Sequence, residues 1–326
     1  MSDATVLITG GYGCIGAETT KWFLRETSAS VVIGSRSVSE ERTQRVFADV
    51  DRDRLKAVSA DVTSVNAMAK VLDQFAVSHV VHLAALQTPE CNANRDLGLQ
   101  VNLAGTQNLI EAMKNASRQI EKFVFASSVA VYGPRHHYPV PRVPCDAEPQ
   151  PVNVYGIWKL AGEHLSRSFF EETGIPTICL RPGVLYGPGR DIGLTSTPTT
   201  AMKHVVLGSP YHIPFASRQD YLFAPDVGAS TAISTIQNYD GYGVFTLPGV
   251  TCGTQEFVEV MQVVAEQMGC FAPTRITFGQ ETVPFICDLD FSSFLAAFPN
   301  VPRTPLDKAI RRSLEVFRDQ HQRGWL

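Results

Sequence analysis

The feature that most constrains the fold of this 326-residue chain is a glycine-rich segment between an apolar run and a helical pattern near its start. Residues 4–9 are apolar and β-branched, which predicts a strand, and residues 17–26 have helical periodicity. Gly10 permits a tight turn, Gly13 lets the backbone approach a pyrophosphate, and Gly16 lets the helix pack close to the strand. The phosphates would lie at the positive N-terminus of that helix. The predicted phosphate-binding residues are Gly10, Gly13, Cys14, Ile15 and Gly16.

Further apolar runs at residues 30–34, 55–60, 79–82 and 123–126 predict more strands, with helical patterns between them. Strands that alternate with helices form a parallel sheet covered on both faces. The predicted fold class is therefore α/β, a doubly wound parallel Rossmann sheet. Ligands of such sheets bind at the carboxyl ends of the strands, so the residues that follow each run are candidates for a site.

The residues after the second predicted strand bear on the choice of cofactor. Ser35 and Arg36 stand where an NAD enzyme would hold an acidic residue for the ribose 2′-hydroxyl. A hydroxyl and a guanidinium would bind a 2′-phosphate through charge-assisted hydrogen bonds, so the sequence favours NADP over NAD. The alternative is that Arg36 is a surface arginine that stacks on the adenine.

The next two strand ends supply further candidate cofactor residues. Asp61, beside Val62, is predicted to accept a hydrogen bond from the adenine amino group, or to cap the helix that begins near Val65. Small residues after the fourth strand would let a flat ligand lie against the backbone; this run is Leu83, Ala84 and Ala85. A helical pattern over residues 99–114 is expected to cover the sheet, and Asn102 near its start is another cofactor-binding candidate.

Tyr155 and Lys159 are four residues apart in a helical pattern, which places both side chains on one helix face. An ammonium beside a phenol favours the phenolate and lowers the tyrosine pKa from about 10. A tyrosine adjusted in this way can exchange a proton with a substrate oxygen beside a nicotinamide. The same spacing also occurs on ordinary solvated helix faces, so a catalytic role for the pair is indicated only when the other motifs are present as well.

Two more motifs complete the pattern, at residues 127–133 and 180–189. In this order the motifs resemble an extended (atypical) short-chain dehydrogenase/reductase of the NAD-dependent epimerase/dehydratase family. The resemblance implies that Ser128 hydrogen-bonds the reacting oxygen, Tyr155 is the acid/base, and Lys159 holds the nicotinamide ribose. Ser127 is the nearest competitor for the serine role, and neighbouring strand residues point to opposite faces, so only one of the two should serve.

The resemblance also divides the chain into two regions. It implies an NAD(P)-binding Rossmann domain over residues 1–182, with Pro182 among the cofactor residues and a return segment at about 220–235. Residues 183–219 and 236–326 would form a smaller, interleaved C-terminal substrate-binding lobe. The family also suggests a homodimer, formed through the helix that bears Tyr155 and the helix that begins near Leu99.

Departures from the family pattern narrow the chemistry. Val129 and Ala130 stand where dehydratases carry an acidic pair, which argues against elimination of water. Sugar-nucleotide members bind the diphosphate with arginines, but Gln219 precedes the Asp-Tyr pair here and Arg218 lies one place early. Residues 277–282 hold no arginine. An unpaired diphosphate would be costly, so a smaller substrate is favoured, although a shift of register would let Arg275 restore the diphosphate interpretation.

The loops beyond residue 186 are rich in glycine, threonine and proline and are expected to form the substrate wall. Their hydroxyls and arginines suit a polyhydroxylated or carboxylated small molecule, although capping and turn chemistry would use the same residues. The predicted substrate-binding residues are Gln87, Ser128, Val129, Arg190, Thr195 and Arg218.

Together these features predict an NAD(P)-dependent oxidoreductase that interconverts a secondary alcohol and a ketone, or a lactol and a lactone, on a small sugar, sugar acid or similar compound. The first alternative is a sugar-nucleotide 4-epimerase with tightly bound NAD. The second is a non-catalytic nucleotide-sensing protein of the same fold, which retention of the serine, tyrosine and lysine argues against.

Composition excludes several other classes of protein. The formal net charge is −4, which argues against a nucleic-acid or anionic-membrane surface. No apolar run approaches the length of a membrane span, and a strand pattern begins too early for a signal peptide. The seven cysteines form no Cys-x-x-Cys pair, which predicts reduced thiols in a cytoplasm and no metal site.

Overall fold

A computed structural model describes residues 4–270, 276–283 and 285–326. The strands are β1 (Thr5–Thr9), β2 (Ser30–Ser35), β3 (Leu55–Ser59), β4 (His79–His82), β5 (Lys122–Ala126), β6 (Thr177–Arg181), β7 (Val184–Tyr186), β8 (Tyr211–Ile213), β9 (Arg218–Phe223), β10 (Tyr242–Thr246), β11 (Val250–Gly253) and β12 (Ile276–Phe278). The helices are α1 (Cys14–Glu26), α2 (Glu40–Val46), α3 (Val65–Gln74), α4 (Thr88–Ala93), α5 (Arg95–Leu99), α6 (Gly105–Lys114), α7 (Val154–Thr173), α8 (Thr197–Val206), α9 (Ala224–Ile236), α10 (Thr254–Gln267), α11 (Ser292–Ala297) and α12 (Leu306–Gln322).

The central sheet has seven parallel strands in the order β3-β2-β1-β4-β5-β6-β10. One apolar core lies between the sheet and the layer of α1, α9 and α11, and a second lies against α3, α6 and α7. This confirms the predicted doubly wound α/β fold. The strand order reverses between β1 and β4, and their carboxyl ends open on the crevice where such folds bind ligands.

The C-terminal region has its own core, built from α8, α10, α12 and two small sheets. In one of these sheets β9 lies between β7 and β11, and in the other β8 pairs with β12. After β9 the chain returns to the central sheet, where α9 packs against α1.

Two elements differ from the sequence predictions. Residues 236–326 were assigned to the lobe, but β10 pairs with β6 at the edge of the central sheet. Tyr242 and Val244 lie on one face of this strand and Phe245 on the other, and the glycines around them obscured the strand pattern. The predicted helix over residues 99–114 is instead α5, a π-helical turn at Gln100–Ala104, and α6.

Candidate active site

The glycine segment forms the turn from β1 into α1. Gly10 has a φ of +71°, and a Cβ added there would lie 2.9 Å from the amide nitrogen of Ala84. A Cβ added at Gly16 would lie 2.4 Å from the Gly10 carbonyl oxygen, so glycine is what lets α1 begin this close to the turn. Gly13 is the N-cap of α1 and offers no capping side chain. The first-turn amides of α1 are therefore left for a ligand or solvent, which is the arrangement an anion at a helix N-terminus requires.

The loop after β4 lies against this turn. The amides of Leu83 and Ala84 both lie 3.2 Å from the hydroxyl of Thr9, to which they donate. Asn102 is buried, and its amide accepts from the Leu86 N–H at 2.7 Å and donates to the Leu86 carbonyl at 2.9 Å. Asn102 therefore fixes the backbone of Leu86, the residue that follows the Leu83–Ala85 segment, from within the protein. A direct contact of Asn102 with the cofactor stays a prediction.

Three predicted cofactor residues from separate segments meet in one narrow apolar cavity. Ile15 comes from the start of α1, Leu83 from the loop after β4, and Pro182 from the end of β6. The cavity has a volume of about 10 Å³ and is otherwise lined mainly by core residues of β5, β6 and α9, so it is a packing void with no room for a flat ring. Ala85 follows on the same loop and is partly buried.

The residues assigned to the adenosine end lie at the ends of β2 and β3. Ser35 is partly buried, and Arg36 beyond it is exposed. Asp61 accepts a hydrogen bond at 2.9 Å from the amide two residues later, and Val62 is buried. Ser64 is the N-cap of α3, so the alternative role of Asp61 as the cap of that helix is wrong.

Tyr155 lies in the first turn of α7, where it approaches the turn that follows β5. Asn153 caps α7 by accepting from the Gly156 amide at 2.9 Å. A Cβ added at Gly156 would lie 2.1 Å from the carbonyl oxygen of Ala130. This close approach brings the partly buried Tyr155 beside Ser128, whose hydroxyl accepts from the Ala130 amide at 3.1 Å. Gly156 was not among the predicted site residues, although a glycine inside a helical pattern indicates close packing.

Burial and nearby charges act in opposite directions on the two catalytic candidates. Burial raises the pKa of Tyr155, while a hydrogen bond with Ser128 and the charge of Arg190 lower it. Lys159 Nζ donates to the carbonyl of Ala126 at 2.6 Å and lies 5.8 Å from the centroid of the Tyr155 ring. Burial lowers the pKa of Lys159 to about 8. The net effect is that the pKa of Tyr155 is raised, so the predicted lowering by Lys159 is wrong; the influences that oppose burial come from Ser128 and Arg190.

A buried ion pair underlies this edge of the sheet. Ser127 is buried and donates to the carboxylate of Glu163 at 2.5 Å. Arg181 donates to both oxygens of Glu163, at 2.7 and 2.6 Å. The Ser127 hydroxyl is thus already used, which leaves Ser128 as the serine beside Tyr155. The sequence signal for this pair was Arg181 at the end of the apolar strand β6; Glu163 lies on an amphipathic helix with several other charges and gave no signal.

Three predicted substrate residues meet in one hydrogen-bonded cluster. Arg190, in the loop after β7, donates through one terminal nitrogen to Gln87 Oε1 at 2.9 Å and through the other to Thr195 Oγ1 at 2.7 Å. Its Nε is buried and has no hydrogen-bond partner. Burial lowers the pKa of Arg190, against the electrostatic influence of Cys14 and Tyr155. The same loop reaches the start of α1, where the Cys14 thiol donates to the Pro188 carbonyl at 3.5 Å.

The remaining substrate candidates have structural partners. The Val129 amide donates to the Pro182 carbonyl at 3.1 Å, which joins the ends of β5 and β6. Arg218 is exposed and donates to Asp288 at 2.9 and 3.1 Å, so the structure does not bring it into the Arg190 cluster. Arg275 lies outside the described residues.

The crevice fits a dinucleotide. The N-terminus of α1, whose N-cap residue Gly13 offers no capping side chain, suits its diphosphate, and the glycine turn lets the backbone come close to that group. Within the described ranges, no three His, Cys, Asp or Glu side chains cluster as metal ligands would. In the same part of the chain, no helix is both long enough and apolar enough to cross a bilayer.

Comparison with known proteins gives three groups of matches. A family model described as the NAD dependent epimerase/dehydratase family matches residues 6–239. The chain is 27% identical over 290 residues to a D-erythronate dehydrogenase of Cupriavidus necator, a match that covers 85% of this chain and 86% of that protein. It is 33% identical over 173 residues to UDP-glucose 4-epimerase 3 of Oryza sativa subsp. japonica, covering 51% of this chain and 44% of that one.

Among solved structures, a UDP-glucose 4-epimerase of Thermotoga maritima with UDP-glucose superposes with a TM-score of 0.81 at 20% identity, covering 97% of this chain and 99% of that one. MoeE5 in complex with UDP-glucose and NAD gives 0.78 at 24% identity, covering 98% and 100%. At these identities the likeness speaks for the fold alone.

Proposed function

This chain is a member of the NAD-dependent epimerase/dehydratase family, and we propose that it is an NAD(P)-dependent oxidoreductase acting on a secondary alcohol or ketone, or a lactol, of a small sugar, sugar acid or similar hydroxylated compound. The observation that carries this proposal is the convergence of Ser128, Tyr155 and Lys159 at the carboxyl edge of the sheet, beside the glycine turn. A nicotinamide bound there supplies hydride transfer at carbon.

The chain's own residues would perform the proton transfer. Tyr155 would take the hydroxyl proton of an alcohol, or return it to a ketone, while Ser128 donates a hydrogen bond to the same oxygen. Lys159, in its ammonium form, would hold the ribose hydroxyls of the cofactor. Ser128 is suited to donate because its oxygen already accepts from the Ala130 amide, which fixes the side chain without using its proton.

The substrate assignment draws on one relative and two departures. The D-erythronate dehydrogenase match extends over most of both chains. Gln219 stands where one diphosphate-binding arginine was expected, and Arg218, one place early, is engaged by Asp288. Residues 277–282, where the other was expected, hold no arginine. These observations favour a small substrate without a nucleotide.

A sugar-nucleotide 4-epimerase is the second candidate, because relatives with that name share up to 33% identity over part of the chain. The same tyrosine would then act on a sugar ring with no net redox change. For the cofactor, we infer a preference for NADP from Ser35 and Arg36 alone, while NAD is the dinucleotide named for solved neighbours.

The test uses wild-type protein and Tyr155→Phe, titrated with NAD and NADP and then assayed for reduced cofactor with polyols, lactols and hydroxy acids. We expect Tyr155→Phe to lose about 100-fold or more in turnover, because it removes the proton-transfer group, with dinucleotide affinity kept. Tyr211→Phe, a partly buried tyrosine of the lobe, is the matched control. Undiminished turnover in Tyr155→Phe contradicts the assignment. Interconversion of UDP-sugars without net reduction favours the epimerase.

A further inference from the structure

The Arg190 cluster contains a positive charge surrounded by neutral groups. Its hydrogen-bond partners are an amide and a hydroxyl. Burial raises the pKa of neighbouring Cys14 to about 12, which keeps that thiol neutral, and burial also raises the pKa of Tyr155. The adjacent acid, Asp191, is paired with Lys203 at 2.5 Å. Among the residues that the structure describes, no carboxylate lies within 4.0 Å of the guanidinium nitrogens of Arg190.

This arrangement is incomplete without an anion. A partly buried guanidinium lacks the hydration it would have in water, and the adjacent Asp191, which is paired with Lys203, acts on it only from beyond salt-bridge distance. Its Nε–H is a buried donor without an acceptor. A carboxylate would remedy both deficits, because its two oxygens match the planar fork of donors on a guanidinium.

We propose that Arg190 binds the carboxylate of the substrate, which is therefore a small hydroxy acid and neither a neutral polyol nor a lactol. This inference rests on the proposed function and narrows its substrate class. The hydrogen bonds to Gln87 and Thr195 orient the guanidinium, so these two residues are positioning residues for Arg190.

The diphosphate of the cofactor is the competing anion, because Arg190 also lies near Cys14 at the start of α1. The α1 N-terminus already offers uncapped amides to that diphosphate. The unsatisfied Nε–H belongs to a cluster that includes Gln87 and Thr195, from the loops on either side of the crevice. We therefore assign the Nε–H of Arg190 to the substrate and not to the diphosphate of the cofactor.

The test measures binding separately from turnover. Protein saturated with NADH or NADPH, which cannot oxidise a hydroxy acid or a polyol, is titrated with D-erythronate and with the neutral polyol erythritol by calorimetry, in the wild type, Arg190→Met and Arg190→Lys. We expect Arg190→Met to weaken erythronate binding about 10- to 100-fold, because it removes charge-assisted hydrogen bonds. Arg190→Lys should recover part of this loss, and erythritol should bind weakly to all three proteins. Arg167→Met, an exposed arginine of α7, is the control.

Two results overturn the inference. One is an erythronate affinity that is the same in the wild type and in Arg190→Met protein with a native circular-dichroism spectrum, or a wild-type affinity for erythritol equal to that for erythronate. The other is a loss of dinucleotide affinity in Arg190→Met as large as the loss for erythronate, which would assign Arg190 to the cofactor. Because the titration needs no turnover, an inactive protein that still binds erythronate through Arg190 would contradict the proposed function and leave this inference standing.

Discussion

The pKa of Lys159 lies close to neutral pH, so a small change in its surroundings alters how much of the side chain is in the ammonium form. Burial lowers the pKa of its ammonium to about 8, and the negative charge of Glu163, one helical turn later, raises it. Lys159 therefore carries its charge at neutral pH partly because of Glu163. Since the proposed role of Lys159 requires an ammonium, Glu163 contributes to activity without touching substrate.

We predict that Glu163→Gln moves the alkaline limb of the pH profile of kcat/KM to lower pH. Removing the carboxylate charge lowers the pKa of Lys159 further, so the ammonium is lost at a lower pH than in the wild type, where the limb should lie near the pKa of about 8. The measurement is kcat/KM against pH. Glu172→Gln, an exposed glutamate of the same helix, should leave the limb in place.

The same substitution also affects stability, and this must be measured alongside. Glu163 and Arg181 are 5% and 6% exposed, and breaking a buried pair by removing one partner typically costs about 3–5 kcal/mol. Chemical denaturation gives the free energy of unfolding for each variant. A folded Glu163→Gln protein whose alkaline limb coincides with that of the wild type would refute the electrostatic role of Glu163.

At the scale of elements, the site depends on how closely α7 approaches the turn after β5. Tyr155 and Lys159 were predictable from sequence because both lie on one helix, where spacing alone determines the shared face. The family resemblance predicted Ser128 as the serine that acts with Tyr155, but the hydrogen bond from Lys159 to the Ala126 carbonyl was not predictable, because Ala126 belongs to a different element. Only the packed structure shows that Gly156 sets the distance between the two.

Gly156→Ala tests this packing. The added methyl would lie 2.1 Å from the Ala130 carbonyl oxygen, so α7 must shift away from the turn that carries Ser128. We expect a loss of about 1–3 kcal/mol in unfolding free energy from overpacking, and a fall in kcat of about 100-fold if Tyr155 moves by about 1 Å. Gly253→Ala is the control, because an added Cβ there meets nothing within 4 Å. Equal kcat in Gly156→Ala and wild type would count against this account.

Across the whole molecule, the features that could be predicted from sequence are those set by residues close together in the chain. The glycine turn, with Gly10 at φ +71°, follows from a strand, a turn and a helix that are contiguous in the chain. The Arg190–Gln87 hydrogen bond joins residues 103 positions apart, and no periodicity reports such a contact. The edge strand β10 was overlooked for a related reason, since its place in the sheet depends on pairing with a distant β6.

The predicted homodimer belongs to this scale as well, and we keep it as a proposal. Three large apolar side chains are exposed on α7 and on α5, the short helix that ends where the second predicted interface helix begins: Leu97 and Leu99 of α5, 38% and 44% exposed, and Ile157 of α7, 48% exposed. Because α5 and α7 contact each other, these side chains can contribute to one interface, where burial stabilises association by about 25 cal/mol per Å² of apolar surface.

We predict that Leu99→Glu combined with Ile157→Glu converts a dimer to a monomer, because a buried carboxylate without a partner opposes association. Sedimentation equilibrium gives the mass directly. Val263→Glu, which changes a 52% exposed valine on α10 in the lobe, should remain dimeric. A wild-type protein that is monomeric at all concentrations, or a double variant that stays dimeric, would contradict this interface. Tyr155 follows the exposed helix start by one residue, so loss of the dimer should also lower turnover if the partner supports that end of α7.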